Sequence, residues 1–167
     1  MTSNNLLIQY IVHQLQTVQN GQLWVGANYT LKLNQLHEQQ MFTRPLPDLH
    51  SVAEIISHLT LWRNETILKI ETGQGSKTDD CPENWLPNEV LEKLGWKQVR
   101  VNYEESLVEM VDLLKDKQDD FLQQMYYDTD FKGDYPYAFA LNGMLHHDLY
   151  HLGQIGIIVK LLNKKGL

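Results

Sequence analysis

Proline and glycine, the residues that most often interrupt helices, fall in a few short clusters along this chain of 167 residues. Pro45 and Pro47 sit together, Gly73 and Gly75 precede Pro82 and Pro87, and Gly133 and Pro136 form the last group. Between the clusters, apolar residues recur three and four apart, and no run alternates with β-branched enrichment. The pattern predicts helices and no strand. A first helix is expected over 4–19, with Leu7, Ile11, Leu15 and Val18 along one face, and a shorter one over 28–38. A second long helix should open at Asp48 or at His50-Ser51, where Glu54 completes a capping box from Ser51, run to about Thr72 and stop before Gly73. The polar stretch 73–94 reads as a long connection. A third long helix is expected from Gly95 to Met125, with Val101, Leu107, Val111, Leu114 and Phe121 as its stripe. A polar turn then leads to a last helix over 137–164. Four long helices with long connections predict an all-α fold, a four-helix bundle containing a crossover. The length suits one domain, residues 1–167.

Charge and cysteine content narrow the function classes. Lys and Arg total 14 against 21 Asp and Glu, for a net charge of -7. The longest basic run is Lys164-Lys165, so no nucleic-acid partner is expected. No stretch of 18 apolar residues exists, so no membrane span is expected. The one cysteine, Cys81, excludes a disulfide framework within the chain and reads as an exposed loop thiol. Residues 1–20 lack Lys and Arg, which argues against a secretory leader. The cytoplasm is the expected location.

The chemistry concentrates in the histidines. There are seven: 13, 37, 50, 58, 146, 147 and 151. His147 and His151 are four apart and share one helix face. At about 100° per residue they fall on the stripe of Ala140, Met144, Ile155, Ile158 and Leu162, while His146 points elsewhere. Two polar rings facing an apolar interior need partners, and a metal ion supplies one for both. The plain alternative is a pair of core histidines satisfied by backbone or water. No Glu follows the first His, so the zinc-protease helix motif is absent and no general base is built in. His58, mid-helix beside Ile55 and Trp62, is the natural third ligand if its helix packs against the last one. His13, His37 and His50 read as surface or loop residues. Asp148, Glu54 and Glu65 read as solvated carboxylates or as candidates to accept an imidazole N–H. Tyr150 and Gln154 are candidates for substrate contact, packing or capping. Gly153 and Gly156, inside a helix, suggest close approach of a neighbouring helix.

The run His146-His147-Asp148-Leu149-Tyr150-His151-Leu152-Gly153-Gln154-Ile155 resembles the hallmark of the DinB-like (YfiT-type) metalloenzymes. So does Val52-Ala53-Glu54-Ile55-Ile56-Ser57-His58-Leu59, continuing to Trp62. The order agrees as well: one His on the second bundle helix, then His-x-x-x-His on the last. The resemblance spans roughly residues 1–163 and implies a four-helix bundle with a three-histidine site for a divalent metal such as nickel or zinc. It places the ligands at His58, His147 and His151. It also implies a small-molecule substrate, a low-molecular-weight thiol as a cosubstrate, and a homodimer. Two functional readings follow. One is a divalent-metal-dependent transferase or hydrolase. The other is a non-catalytic metal-binding or structural bundle acting through dimerisation.

Overall fold

A computed structural model describes residues 4–165. Its long helices are α1 (Leu6–Asn20), α4 (Val52–Thr72), α6 (Trp96–Leu114) and α7 (Tyr137–Lys165). Shorter helices α2 (Tyr29–Leu33), α3 (Glu38–Met41) and α5 (Asn88–Leu94) lie in the connections. Helix α1 packs on α6 and α7, and α4 packs on the same two. The pairs α1/α4 and α6/α7 are therefore diagonal, and the chain crosses the bundle end twice. The fold is the expected all-α bundle with crossover connections, and α4 and α7 are neighbours along their lengths.

Local chemistry explains the helix ends. Ser51 Oγ accepts the Glu54 N–H, and the Glu54 carboxylate accepts the Ser51 N–H, so the capping box forms as read. Gly73, at φ 75°, ends α4 in the left-handed conformation that glycine adopts without penalty. The expected helix over 28–38 divides in two, because His37 is extended and caps α3. The stretch 73–94 ends in α5. Helix α6 stops at Leu114 instead of Met125. Beyond it the Asp119 carboxylate accepts the N–H groups of Leu7 and Ile8, and so caps α1 from across the bundle.

A two-stranded antiparallel hairpin, β1 (Met125–Asp128) and β2 (Gly133–Pro136), stands where no strand is expected. Its strands have four residues each, too short to show sustained alternation. The Asp128 carboxylate accepts the N–H groups of Asp130 and Phe131 and closes the turn. Tyr127 exchanges backbone hydrogen bonds with Gly73 and Gly75. The hairpin is thereby pinned to the C-terminal end of α4.

The core is one cluster drawn from all four long helices, including Ile8, Leu15, Ile55, Leu59, Tyr103, Met110, Leu141 and Ile155. On α1 the buried face runs through Ile8, not Leu7, which is exposed. A charged group sits among these residues. The guanidinium of Arg63, on α4, donates to Gln19 Oε1 on α1, to the carbonyl and hydroxyl of Tyr103 on α6, and to Asp148 Oδ2 on α7 at 2.7 Å. Arg63 and Asp148 are both fully buried. Tyr29, from α2, donates its hydroxyl to the Asp148 carbonyl. One side chain thus ties the four long helices together. Asp148, which reads in the sequence as a solvated carboxylate or a support for an imidazole, is instead the buried anion of this pair.

The expectation for Gly153 and Gly156 is also corrected. Nothing lies within 4 Å of a Cβ built at Gly153, and at Gly156 the nearest atom is Lys32 Cε at 3.9 Å. Neither admits a close helix. Gly153→Ala is therefore expected to stabilise the fold by up to about 1 kcal/mol through helix propensity. The urea midpoint should rise at unchanged slope. Asp148→Ala leaves a buried guanidinium without its anion and should cost about 3–5 kcal/mol in the same measurement.

Candidate metal centre

The adjacency of α4 and α7 brings His58, His147 and His151 together. Their ligand atoms all lie within 4.8 Å of one another. His147 Nε2 is 2.9 Å from His58 Nε2 and 3.1 Å from His151 Nε2. The three rings stand edge to face, with centroids 4.6–4.9 Å apart. His58 and His151 are buried and His147 half-buried.

Hydrogen bonds on the far side of two rings fix their tautomers. The Asn84 side-chain Nδ2 donates to the Asp79 carbonyl, and its Oδ1 accepts the Trp62 indole N–H at 2.9 Å. The indole is a donor only, so this oxygen is correctly placed as an acceptor. His58 Nδ1 faces that oxygen at 2.8 Å and the Asn84 carbonyl at 3.1 Å. It meets two acceptors and must carry the proton. His58 Nε2 is then a bare lone pair. His151 Nδ1 likewise donates to Gln154 Oε1 at 2.7 Å, which leaves its Nε2 bare. His147 Nδ1 is buried with no hydrogen-bond partner.

A proton on His147 Nε2 satisfies one of the two bare lone pairs and leaves the other unmet, whereas a cation at the common point takes a lone pair from all three rings. Nitrogen ligands about 2.0–2.1 Å from a tetrahedral ion lie about 3.4 Å apart, a separation that the two short contacts, at 2.9 and 3.1 Å, approach from below and that falls within the 4.8 Å spread of the trio. The donor set fits a divalent metal.

The electrostatics agree. Burial pushes His147 down to about 3, and its neighbours His151 and His58 add to the effect. Burial pushes His151 down to about 4 against the opposing pull of Gln154. Burial lowers His58 as well, with Asn84 opposing. All three rings are neutral near pH 7, the form in which imidazole binds a metal.

The trio sits in the wall of a cleft of about 790 Å³ between α4 and α7. The loop 79–85, the hairpin and Phe139 form its other sides. Trp85 stacks on His58 at 3.9 Å and on His50 at 3.7 Å, both nearly parallel, and so lies between the two rings. His50 is therefore part of the cleft wall, not a free surface residue. His13 is exposed, and His37 is the α3 cap. Cys81 is half-buried. Glu54 pairs with Arg44 and lies 3.6 Å from His50 Nδ1, and Glu65 accepts the backbone N–H groups of Ser76 and Lys77, so neither supports a ring of the trio. Gln154 orients His151, and Tyr150 lines the cleft. Asn84 and Trp85 escape the sequence reading. They lie in the loop that reads only as a polar connection, and no spacing marks them.

Unfolded imidazoles titrate near 6.5 and folded His147 and His151 well below it, so between those values the unfolded chain binds more protons. Stability is therefore expected to fall as pH drops through about 6.5, until the folded rings protonate near 4 and 3. His147→Leu should flatten that acid slope in denaturant midpoints measured across pH.

Comparison with known families adds two findings. No curated protein matches the chain. The family model of the DinB superfamily matches residues 24–155, which include all three histidines.

Proposed function

The chain belongs to the DinB superfamily, and from that premise we propose that it is a divalent-metal-dependent enzyme acting on a small molecule, with His58, His147 and His151 as the ligands. The observation that supports this most directly is the pair of fixed tautomers. Asn84 and Gln154 each hold a proton on the outer nitrogen of a ring and so direct the inner lone pairs at one point. Nickel and zinc both suit neutral imidazole. Three protein ligands leave a coordination position open, as catalytic sites do.

When bound, the ion would supply Lewis acidity, lowering the pKa of a thiol or of water toward neutrality. The protein's own contribution is orientation and enclosure. Asn84 fixes the His58 ring plane by two acceptors, and Trp85 covers its face. The cleft, lined mainly by apolar groups with a few polar ones, has the size of a small-molecule site. This favours transfer of a low-molecular-weight thiol to an electrophile, or hydrolysis, over a purely structural ion.

Protein purified without a histidine tag is expected to bind one divalent ion per chain by elemental analysis. His147→Ala should lose it. Cobalt or nickel binding should quench tryptophan fluorescence, and Trp85→Phe should remove most of that response. Thiol transfer to model electrophiles should disappear with chelator and return with metal. Full metal retention by His147→Ala would reject the ligand assignment, and chelator-resistant turnover would reject the metal mechanism. Stoichiometric metal with no turnover of any thiol or ester would favour the non-catalytic reading.

A further inference from the structure

The cleft has a second polar end, unused by the metal chemistry. Lys69 lies eleven residues after His58 on α4, about three turns and roughly 16 Å along the axis, on the same face. Both residues line the cleft. The Lys69 side chain is only 8% exposed. Among the described residues, its ammonium has one hydrogen-bond partner, Asp128 Oδ2 at 2.8 Å. An ammonium carries three donors, so two remain. Tyr126 lies beside it, with the ring centroid 5.4 Å from Nζ.

Asp128 is in the opposite condition. Its Oδ2 accepts from Lys69 and from the Tyr126 hydroxyl, and its Oδ1 accepts the N–H groups of Asp130 and Phe131. Four donors saturate the carboxylate. What this end presents to a ligand is therefore the donor capacity of the ammonium, on a pair whose acceptor is already satisfied. Of the other acids nearby, Glu65 is buried one turn before Lys69 with its carboxylate taken up by Ser76 and Lys77, while Asp79 is exposed and Asp130 half-buried, so solvent weakens their fields.

Between the two ends the wall is apolar, with Phe131, Phe139, Ala140 and Met144. Gly143 lies among them on α7, and nothing stands within 4 Å of a Cβ built there. A glycine inside a helix is unfavourable, and here no packing demands it. Its missing side chain keeps the middle of the cleft open.

We propose that Lys69 is the anchoring site for a carboxylate of an elongated, partly apolar ligand whose other end lies at the histidine trio. A single ammonium that already shares its charge with Asp128 suits one negative charge. The spacing asks for a ligand on the order of 10 to 15 Å long. The inference deepens the reading of the cleft as a small-molecule site, and the anchor itself does not depend on the metal.

The probe is decanoate, titrated calorimetrically into metal-free and metal-loaded protein, with decanol as its uncharged counterpart. Decanoate is expected to bind both forms, at least tenfold tighter than decanol. Lys69→Met should weaken it at least tenfold, and Lys69→Arg should restore most of the affinity. Because Lys69→Met orphans Asp128 and threatens the fold, Gly143→Leu provides an independent arm. It leaves the Lys69–Asp128 pair untouched and should weaken decanoate at least tenfold by filling the middle of the cleft. Lys69-dependent binding by protein that takes up no metal would uphold the anchor while the proposed function fails. Equal affinity for decanol and decanoate would overturn the anchor. So would binding that requires metal and ignores Lys69, or unchanged affinity in Gly143→Leu.

Discussion

Everything at the histidine trio depends on the register and rotation of α4 against α7, and a buried ion pair fixes both. Arg63 follows His58 by five residues, and Asp148 follows His147 by one. A helix turns about 100° per residue, so His58 faces the cleft while Arg63 faces the bundle axis. A slide of one helix past the other by a turn would separate the Arg63–Asp148 contact and strand two buried charges. Such pairs add little net stability because both partners lose their hydration. Their effect is discrimination: misregistered packings leave a guanidinium or carboxylate unpaired in an apolar interior. Arg63 also reaches Gln19 and Tyr103, so the penalty extends to misplacement of α1 and α6. The ligand set is drawn from two helices, but its geometry is secured by four.

That arrangement separates two tasks that adjacent residues perform. The bundle axis carries the permanent charge pair, where it is dry. The trio lies off the axis on the α4–α7 seam, with His147 half-buried and open to the cleft. A helix-wheel reading puts His147 and His151 on the core stripe, which is right for Ile155, Ile158 and Leu162. It does not show that the stripe runs out of the core at its N-terminal half and becomes a cleft wall at Met144 and Gly143.

The limits of what could be read in the sequence follow from the same physics. Helix α4 is legible because its cap, stripe and terminating glycine are local signals. The His147/His151 pair is legible because a four-residue spacing is a statement about one helix. His58 could be nominated but not placed, since periodicity gives a face and not the neighbour that face meets. The family resemblance supplied that placement. The hairpin was invisible because its strands are short and owe their pairing to Gly73, Gly75 and the turn-closing Asp128. Asp148 was misread for a related reason. Its role depends on a partner 85 positions away, and sequence adjacency to His147 suggested the wrong one.

Glu65 shows how support reaches a ligand without touching it. It was a candidate to hold an imidazole directly. Instead its carboxylate takes the N–H groups of Ser76 and Lys77 and the Ser76 hydroxyl. These bonds tie the start of the 73–94 loop to the flank of α4. Farther along, Asn84 returns to the same helix through Trp62 and His58, and Trp85 stacks on the His58 ring. The loop is therefore stitched to α4 at two points, and its second stitch sets the His58 tautomer. A loop free to wander would hold Asn84 near its ring for only part of the time, and the ring would otherwise divide between its two tautomers, only one of which presents the inner lone pair. Fixing the loop lowers the conformational entropy that ordering of the site would otherwise cost. The long polar connection is, on this view, the part of the chain that turns a buried histidine into a ligand.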